Sequence, residues 1–231
     1  MMGKYSIFDQ AKKEGRSILT EFESKKLLKQ MGIPVVETRL AKNLKEVVSI
    51  SHRIGFPVVL KITSPDVVHK TDSGGVKLDL KNASDVKKGY KDIVNSVRKK
   101  YPRAHIHGVS VQKMVRPGTE VIIGTSKDPQ FGPIIMFGVG GIFVEVLKDV
   151  SFRVIPLTRK DAQEMIREIK GFPLLQGYRG KEPANIPALV GMILRISQVI
   201  TKNPQIREME LNPIFAYKDK ALAVDARIIL E

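Results

Sequence analysis

Cysteine and tryptophan are both absent from the 231 residues. Without cysteine there is no disulfide, no thiolate nucleophile and no cysteine-based metal site, and the chain suits a reducing compartment. No uninterrupted apolar stretch approaches the roughly 20 residues that a membrane-spanning helix needs. The greasiest segment, residues 133–147, is broken by Gly138, Gly140 and Gly141 and carries Glu145. Lys4, Asp9, Lys12 and Lys13 open the chain with no apolar signal core behind them. The expectation is a cytoplasmic protein with no membrane partner. Also missing are a GxGxxG fingerprint, a P-loop, an RNP-type aromatic strand and a zinc-finger histidine pattern.

What is present is a hydrophobic content of 42%, ordinary for a globular protein, and a formal charge of +15. Lysines and arginines gain affinity for nucleic acid by releasing counterions from phosphates. Here, however, they are scattered over the whole chain rather than gathered into a stripe. An anionic small molecule such as ATP, or an acidic partner, accounts for the charge equally well. The reading therefore takes no nucleic acid as partner, with a basic nucleic-acid-binding module kept as an alternative.

Residues 1–19 are polar and helix-compatible, an arm or covering helix. Thr20 with Glu23 forms a capping pattern ahead of Leu27, Leu28 and Met31, and Gly32 ends that helix. Strands are expected at 35–40, 57–62 and 75–80. Helices are expected over 43–54, which Asn43 and Glu46 cap, and over about 84–100. Residues 20–108 thus read as an α/β lobe. From 109 the texture changes to closely spaced strands at 109–115, 120–125, 133–137, 142–147 and 152–157. Helices near 160–169 and 187–201 follow, then strands at 208–211, 214–217 and 222–229. Residues 109–231 read as a second, α+β lobe.

Several residues carry chemical interest. Lys61 ends the apolar run that begins at Pro57. A strand can hold such a cation at a fixed distance from a phosphate, but a lone lysine there also reads as a solvated edge residue. Gly74 and Gly75 let backbone N–H groups approach an anion, or simply make a tight turn. The glycines at 138, 140 and 141 read as a hairpin turn. Gln112 and Glu120 sit on consecutive strands joined through Pro117 and Gly118, where a base and a ribose are commonly held, while Glu120 by itself also reads as an exposed strand glutamate. Glu210 and Asn212 share one face of a strand, and a turn near 218–220 returns Asp225 beside them. Three oxygen donors at one place suit Mg²⁺, while a hairpin with a polar face is an equal reading. Of the four histidines, His52, His105 and His107 read as surface residues. His69 lies between Lys61 and the double glycine, where a neutral imidazole is a competent phosphate acceptor, although a single histidine also reads as structural.

The order of these features is informative. The runs PVVLKITSPDVVHKTDSGGVKL, VQKMVRPGTEVIIG, DPQFGPIIMFGVGGIFVEVLKDVSFRVIPL and MELNPI with LAVDARI resemble the β subunit of ADP-forming acyl-CoA (acetyl-CoA) synthetases. That group looks like the ATP-grasp superfamily, which includes succinyl-CoA synthetase β chains. The resemblance implies an ATP-grasp fold of class α+β / α/β, with two lobes enclosing a nucleotide site. By it, Lys61 would bind ATP phosphates and Gly74 and Gly75 would lie in the phosphate loop. Gln112 and Val115 would flank the adenine hinge, and Glu120 would hold the ribose. Asn212 and Asp225 would ligate Mg²⁺, Glu210 would orient a phosphohistidine, and His69 would be the second histidine of a phosphoryl relay to ADP.

The implied reaction is acyl-CoA + ADP + Pi ⇌ carboxylic acid + CoA + ATP. It requires an α subunit carrying the CoA-binding and phosphohistidine domains, in a heterotetramer of two α and two β chains. Succinyl-CoA synthetase β chains continue into a further α/β domain, whereas this sequence ends just past Asp225. No CoA-binding fingerprint is present, so the acyl chemistry is expected on the partner. A self-contained ATP-grasp ligase that activates a carboxylate as an acyl phosphate stays open as an alternative.

Overall fold

The structure, a computed structural model, describes residues 5–67, 70–141, 144, 147–180 and 182–231. It divides into two compact units. One comprises Thr20–Phe22 with Val36–Arg116, and the other comprises residues 5–19 with Glu23–Val35 and Pro117–Glu231.

The first unit is built on a four-stranded sheet with the order β1-β4-β2-β3. The strands are β1 (Thr38–Ala41), β2 (Val58–Thr63), β3 (Val76–Leu80) and β4 (Gly108–Lys113). All neighbours are antiparallel. Helices α3 (Leu44–Ile54) and α4 (Ala83–Lys100) cover one face. Val47, Val86, Ile93 and Val97 close the core over Val58, Leu60 and Ile62. The cap expected from Asn43 and Glu46 forms reciprocally. Asn43 Oδ1 accepts from Glu46 N at 3.0 Å, and the Glu46 carboxylate accepts in return from Asn43 Nδ2 at 3.0 Å and from Lys42 N at 2.8 Å.

The second unit holds a larger antiparallel sheet of order β10-β8-β5-β6-β7, with β9 paired to β8. Its strands are β5 (Thr119–Asp128), β6 (Gly132–Val139), β7 (Val150–Val154), β8 (Ile206–Ala216), β9 (Ala221–Ala223) and β10 (Arg227–Leu230). Helices α1 (Tyr5–Lys13), α5 (Arg159–Glu168) and α7 (Ile186–Lys202) contribute to its core, with the short α6 (Phe172–Leu175). In α7, Leu189, Ile193, Ile196 and Ile200 recur at helical spacing and are buried. Each such side chain contributes about 1.5–3 kcal/mol on burial. Helix α2 (Glu21–Gln30) adds Leu27 and Leu28.

Three expectations about organisation change. The strand expected to open the second lobe at 109 is β4, which pairs with β1 and β2 in the first sheet, so this unit runs through Arg116. Alternating apolar character marks a strand but does not choose its partners. Of the two readings of the N-terminal segment, residues 5–19 take the covering helix, with Ile7, Phe8, Ala11 and Leu19 in the second unit's core and Leu19 N donating to Ile228 O at 3.0 Å. The remainder of α2 after Phe22 belongs to that unit too. Finally, the glycines at 138–141 make no tight hairpin, since β6 ends at Val139 and β7 begins only at Val150. A Cβ on Gly138 would lie 2.8 Å from Asp149 O, so that glycine serves close backbone approach. The strand expected over 142–147 lies largely outside the described residues, and Val144 is helical. No helix among the described residues is long and apolar enough to cross a membrane.

Candidate functional site

Lys61 lies on β2, an interior strand, opposite Ser110 of β4 and Val76 of β3. Its neighbours Leu60 and Ile62 point into the core, so strand alternation sends Lys61 to the other face. It is nonetheless only 8% exposed, which corrects the solvated-edge reading. Lys61 Nζ donates to Glu21 Oε1 at 2.7 Å, and Lys70 Nζ donates to Glu21 Oε2 at 2.8 Å. One buried carboxylate therefore bridges two ammonium groups. Sequence reasoning missed Glu21, because an acid in the first turn of a helix is explained by the helix dipole alone. Its partners lie 40 and 49 residues away, beyond any local pattern.

The loop that carries Lys70 is pinned from several sides. Asp66 accepts from His105 N at 2.6 Å, and Ser73 Oγ donates to Lys70 O at 2.8 Å. Gly74 has φ of 67°, and a Cβ on Gly75 would sit 2.7 Å from Ile62 Cγ2. Turn geometry and packing both require these glycines. Gly74 N donates to Thr71 O at 3.0 Å and Gly75 N to Lys70 O at 2.7 Å. In this conformation the two N–H groups serve the loop itself, which is the tight-turn reading of the pair. His69, the expected phosphate acceptor, lies outside the described residues. Among the other histidines, His52 and His105 are exposed and His107 is half-buried.

Gln112 is buried near the end of β4, in register with Thr38 and Val59. Val115, two residues past the strand, is half-buried. Met114 N donates to Pro57 O at 3.1 Å, which carries the chain past the start of β2.

In the second unit, Glu120 lies exposed near the start of β5, opposite Phe215. Gly140 N donates to Glu120 O at 2.8 Å, and a Cβ on Gly140 would come within 3.0 Å of Glu120 Cβ. The glycine run thus frames Glu120, a role that the hairpin reading overlooked.

Glu210 and Asn212 share a face of β8 as expected, and Asn212 Nδ2 donates to Glu210 Oε1 at 3.2 Å. Arg227 pairs with Glu210, and Ala223 pairs with Ile214 in the same register. Asp225, midway between Ala223 and Arg227, therefore falls opposite Asn212. Val224 N donates to Pro213 O at 2.9 Å, which holds the return strand at this point. The pairing of β5 with β8 slips by one residue here, since Ile123 faces Leu211 whereas Val121 faces Ile214. This bulge at Asn212 and Pro213 re-aims the polar side chains. Glu210 and Arg227 also line an open groove of about 270 Å³ on this sheet, with Ile122, Gly124, Met136 and Phe152.

Carboxylate and amide oxygens are hard donors, which suit Mg²⁺ better than a softer metal. Among the described residues, no three His, Cys, Asp or Glu side chains converge in a metal-binding group. Such a site would therefore draw on the amide as well as the carboxylates.

An ATP-grasp domain model matches residues 10–230. The chain is 51% identical to the β subunit of acetate–CoA ligase (ADP-forming) I of Pyrococcus furiosus, over 97% of this chain and 96% of that one. It superposes on dinucleotide-forming acetyl-coenzyme A synthetase 1 of Ca. Korarchaeum cryptofilum, in complex with coenzyme A, Ca-AMPCP and HgCl+, with a TM-score of 0.96. Identity there is 48%, over 99% of this chain and all of that chain. A second structure of that enzyme contains coenzyme A and Mg-AMPPCP, with its phosphohistidine segment pointing towards the nucleotide binding site. It matches with a TM-score of 0.88 and 45% identity, over 99% of this chain and 100% of that one.

Proposed function

The chain belongs to the ATP-grasp family, among the β subunits of ADP-forming acetate–CoA ligases, and we propose that it carries the Mg-nucleotide half of the ligase reaction for a separate α subunit. It is thus one subunit of an acid–thiol ligase that interconverts acyl-CoA, ADP and phosphate with carboxylic acid, CoA and ATP. The observation that supports the assignment of roles is the common register of β8 with its return strands, Arg227 opposite Glu210 and Ala223 opposite Ile214, on which Asp225 would face Asn212.

On this reading phosphate attacks the acyl-CoA thioester on the partner and releases CoA. The resulting acyl phosphate passes its phosphoryl group to a partner histidine and leaves as the carboxylate. A mobile segment of the partner brings the phosphohistidine towards this chain, where Glu210 orients it. His69 takes up the phosphoryl group, and the terminal oxygen of ADP then attacks it to form ATP and restore the neutral imidazole. Lys61 and Lys70 place positive charge at the phosphate oxygens, where such a transfer needs it. Glu120 accepts from the ribose hydroxyls, Gln112 and Val115 flank the adenine, and Gly74 and Gly75 shape the loop that presents Lys70. Asn212 and Asp225 hold Mg²⁺, which neutralises charge on the phosphates when bound. The partner carries the CoA-binding and phosphohistidine domains, the assembly is a heterotetramer of two α and two β chains, and the site of action is the cytoplasm.

Reconstitution tests this division of labour. The chain alone should bind Mg-ADP and form no ATP from acetyl-CoA, ADP and phosphate, while addition of the α subunit should restore ATP formation. Full activity of the isolated chain would favour the self-contained ligase and contradict the subunit reading.

A further inference from the structure

The Glu21 carboxylate has an unusual position for a structural acid. It is buried, its side chain only 4% exposed, and each of its oxygens holds a different lysine. The two lysines differ in how they are anchored. Lys61 stands on the interior strand β2, whereas Lys70 sits in the loop between β2 and β3. Glu21 itself comes from the start of α2, so three separate segments of one unit meet at a single anion. Two cations around one carboxylate leave this triad with a net charge of +1.

We propose that Glu21 is a positioning residue that stands in for the nucleotide's terminal phosphate while the site is empty. This inference rests on the reading that Lys61 and Lys70 meet that phosphate. A carboxylate presents two oxygens at a spacing close to that of two oxygens of one phosphoryl group. Holding both ammonium groups on those oxygens sets them in advance for phosphate, and fixes the loop cation against the strand cation. A phosphoryl group brings more negative charge and a third oxygen, so it displaces the carboxylate from at least one lysine. Glu21 and the nucleotide thus compete for the same two cations. The internal anion weakens nucleotide binding, and in return keeps the lysines paired and correctly spaced.

Calorimetric titration of the full chain with Mg-ADP and with adenosine, in wild type and Glu21→Gln, tests this. The amide keeps the shape but loses the charge and turns one N–H₂ group towards a lysine. Mg-ADP should bind about tenfold more tightly, a typical size for coupling between linked binding events, and adenosine should bind unchanged. In the reconstituted reaction KM for ADP should fall while kcat does not rise, because the lysines are no longer held in place between turnovers. A folded Glu21→Gln chain with unchanged or weaker Mg-ADP affinity would overturn the proposal, as would an equal gain for adenosine. Should the glutamine variant not fold, Glu21→Asp keeps the charge but is too short to hold both lysines. It should then show a smaller gain for Mg-ADP, and unchanged affinity would overturn the proposal. Wild-type chain that binds no Mg-ADP at all would remove the nucleotide reading itself, an outcome separate from any difference between variants.

Discussion

Asn212 donates its side-chain amide to the Glu210 carboxylate across 3.2 Å, from two residues further along the same face of β8. That contact orders the amide, and the β-register sets Asp225 opposite it. If these groups hold Mg²⁺, they should not contribute equally. Asp225→Ala removes a formal charge beside a dication, worth kcal-scale energy at a protein surface, so Mn²⁺ affinity should fall by roughly tenfold or more. Asn212→Ala removes only a dipole and should cost less. Manganese titration followed by water-proton relaxation checks the order, and equal affinity in wild type and both variants contradicts the site.

Two glycines should respond in opposite directions to the same substitution. Gly75→Ala places a Cβ 2.7 Å from Ile62 Cγ2 and 3.0 Å from Lys70 O, an overpacking of a kind that costs about 1–3 kcal/mol. Gly191 lies in the exposed face of α7 with nothing within 4 Å of an added Cβ. Gly191→Ala should therefore stabilise by about 0.5–1 kcal/mol through helix propensity. Urea unfolding of the two variants beside wild type measures both.

Helix α5 carries a pH signature. Asp161 closes a capping box with Thr158, and the hydrogen bond from the Thr158 hydroxyl, then that from its backbone N–H, lowers the carboxyl pKa below the usual value. A carboxyl lowered on folding favours the native state above its unfolded pKa, and this contribution is lost as pH falls through the folded value. Asp161→Asn should accordingly be less stable than wild type near neutral pH. The gap should close on acidification through the acidic carboxylate range. Thermal melts across pH read the effect, and a gap that widens in acid would contradict the sign.

His69→Ala separates relay from direct transfer. With the α subunit, acetyl-CoA and labelled phosphate, the variant should still label α but form almost no ATP. Wild-type chain should carry an acid-labile, alkali-stable label that the variant lacks. ATP formation at a near wild-type rate would return His69 to the role of a loop residue.

The sequence made the strands and helices legible where one residue pattern sufficed. The buried faces of α4 and α7, the cap on α3 and the shared face of Glu210 and Asn212 all follow from local periodicity. Partnerships across the chain were not legible. β4 reads as a strand from its own residues, but its place between β1 and β2 depends on pairing that no local pattern encodes. Glu21 was missed for the same reason, since its meaning lies in Lys61 and Lys70. Gly74 and Gly75 illustrate a third limit: composition shows a flexible backbone, but not whether its N–H groups face a ligand or the loop's own carbonyls.

Lys61 offers the most direct test of the account. Removing it also breaks a mostly buried pair, so Lys61→Ala should lose roughly 1–3 kcal/mol of stability, less than a fully buried pair costs because Lys70 still holds Glu21. The decisive measurement is a rapid-quench time course of the reconstituted enzyme with acetyl-CoA, labelled phosphate and Mg-ADP, run below the variant's melting range. If this chain serves only the nucleotide half, Lys61→Ala should leave phosphorylation of the α subunit at its wild-type rate while ATP formation falls at least about a hundredfold, as expected when a charge on the transferring group is lost. Undiminished ATP formation, or loss of α phosphorylation together with ATP, would contradict it.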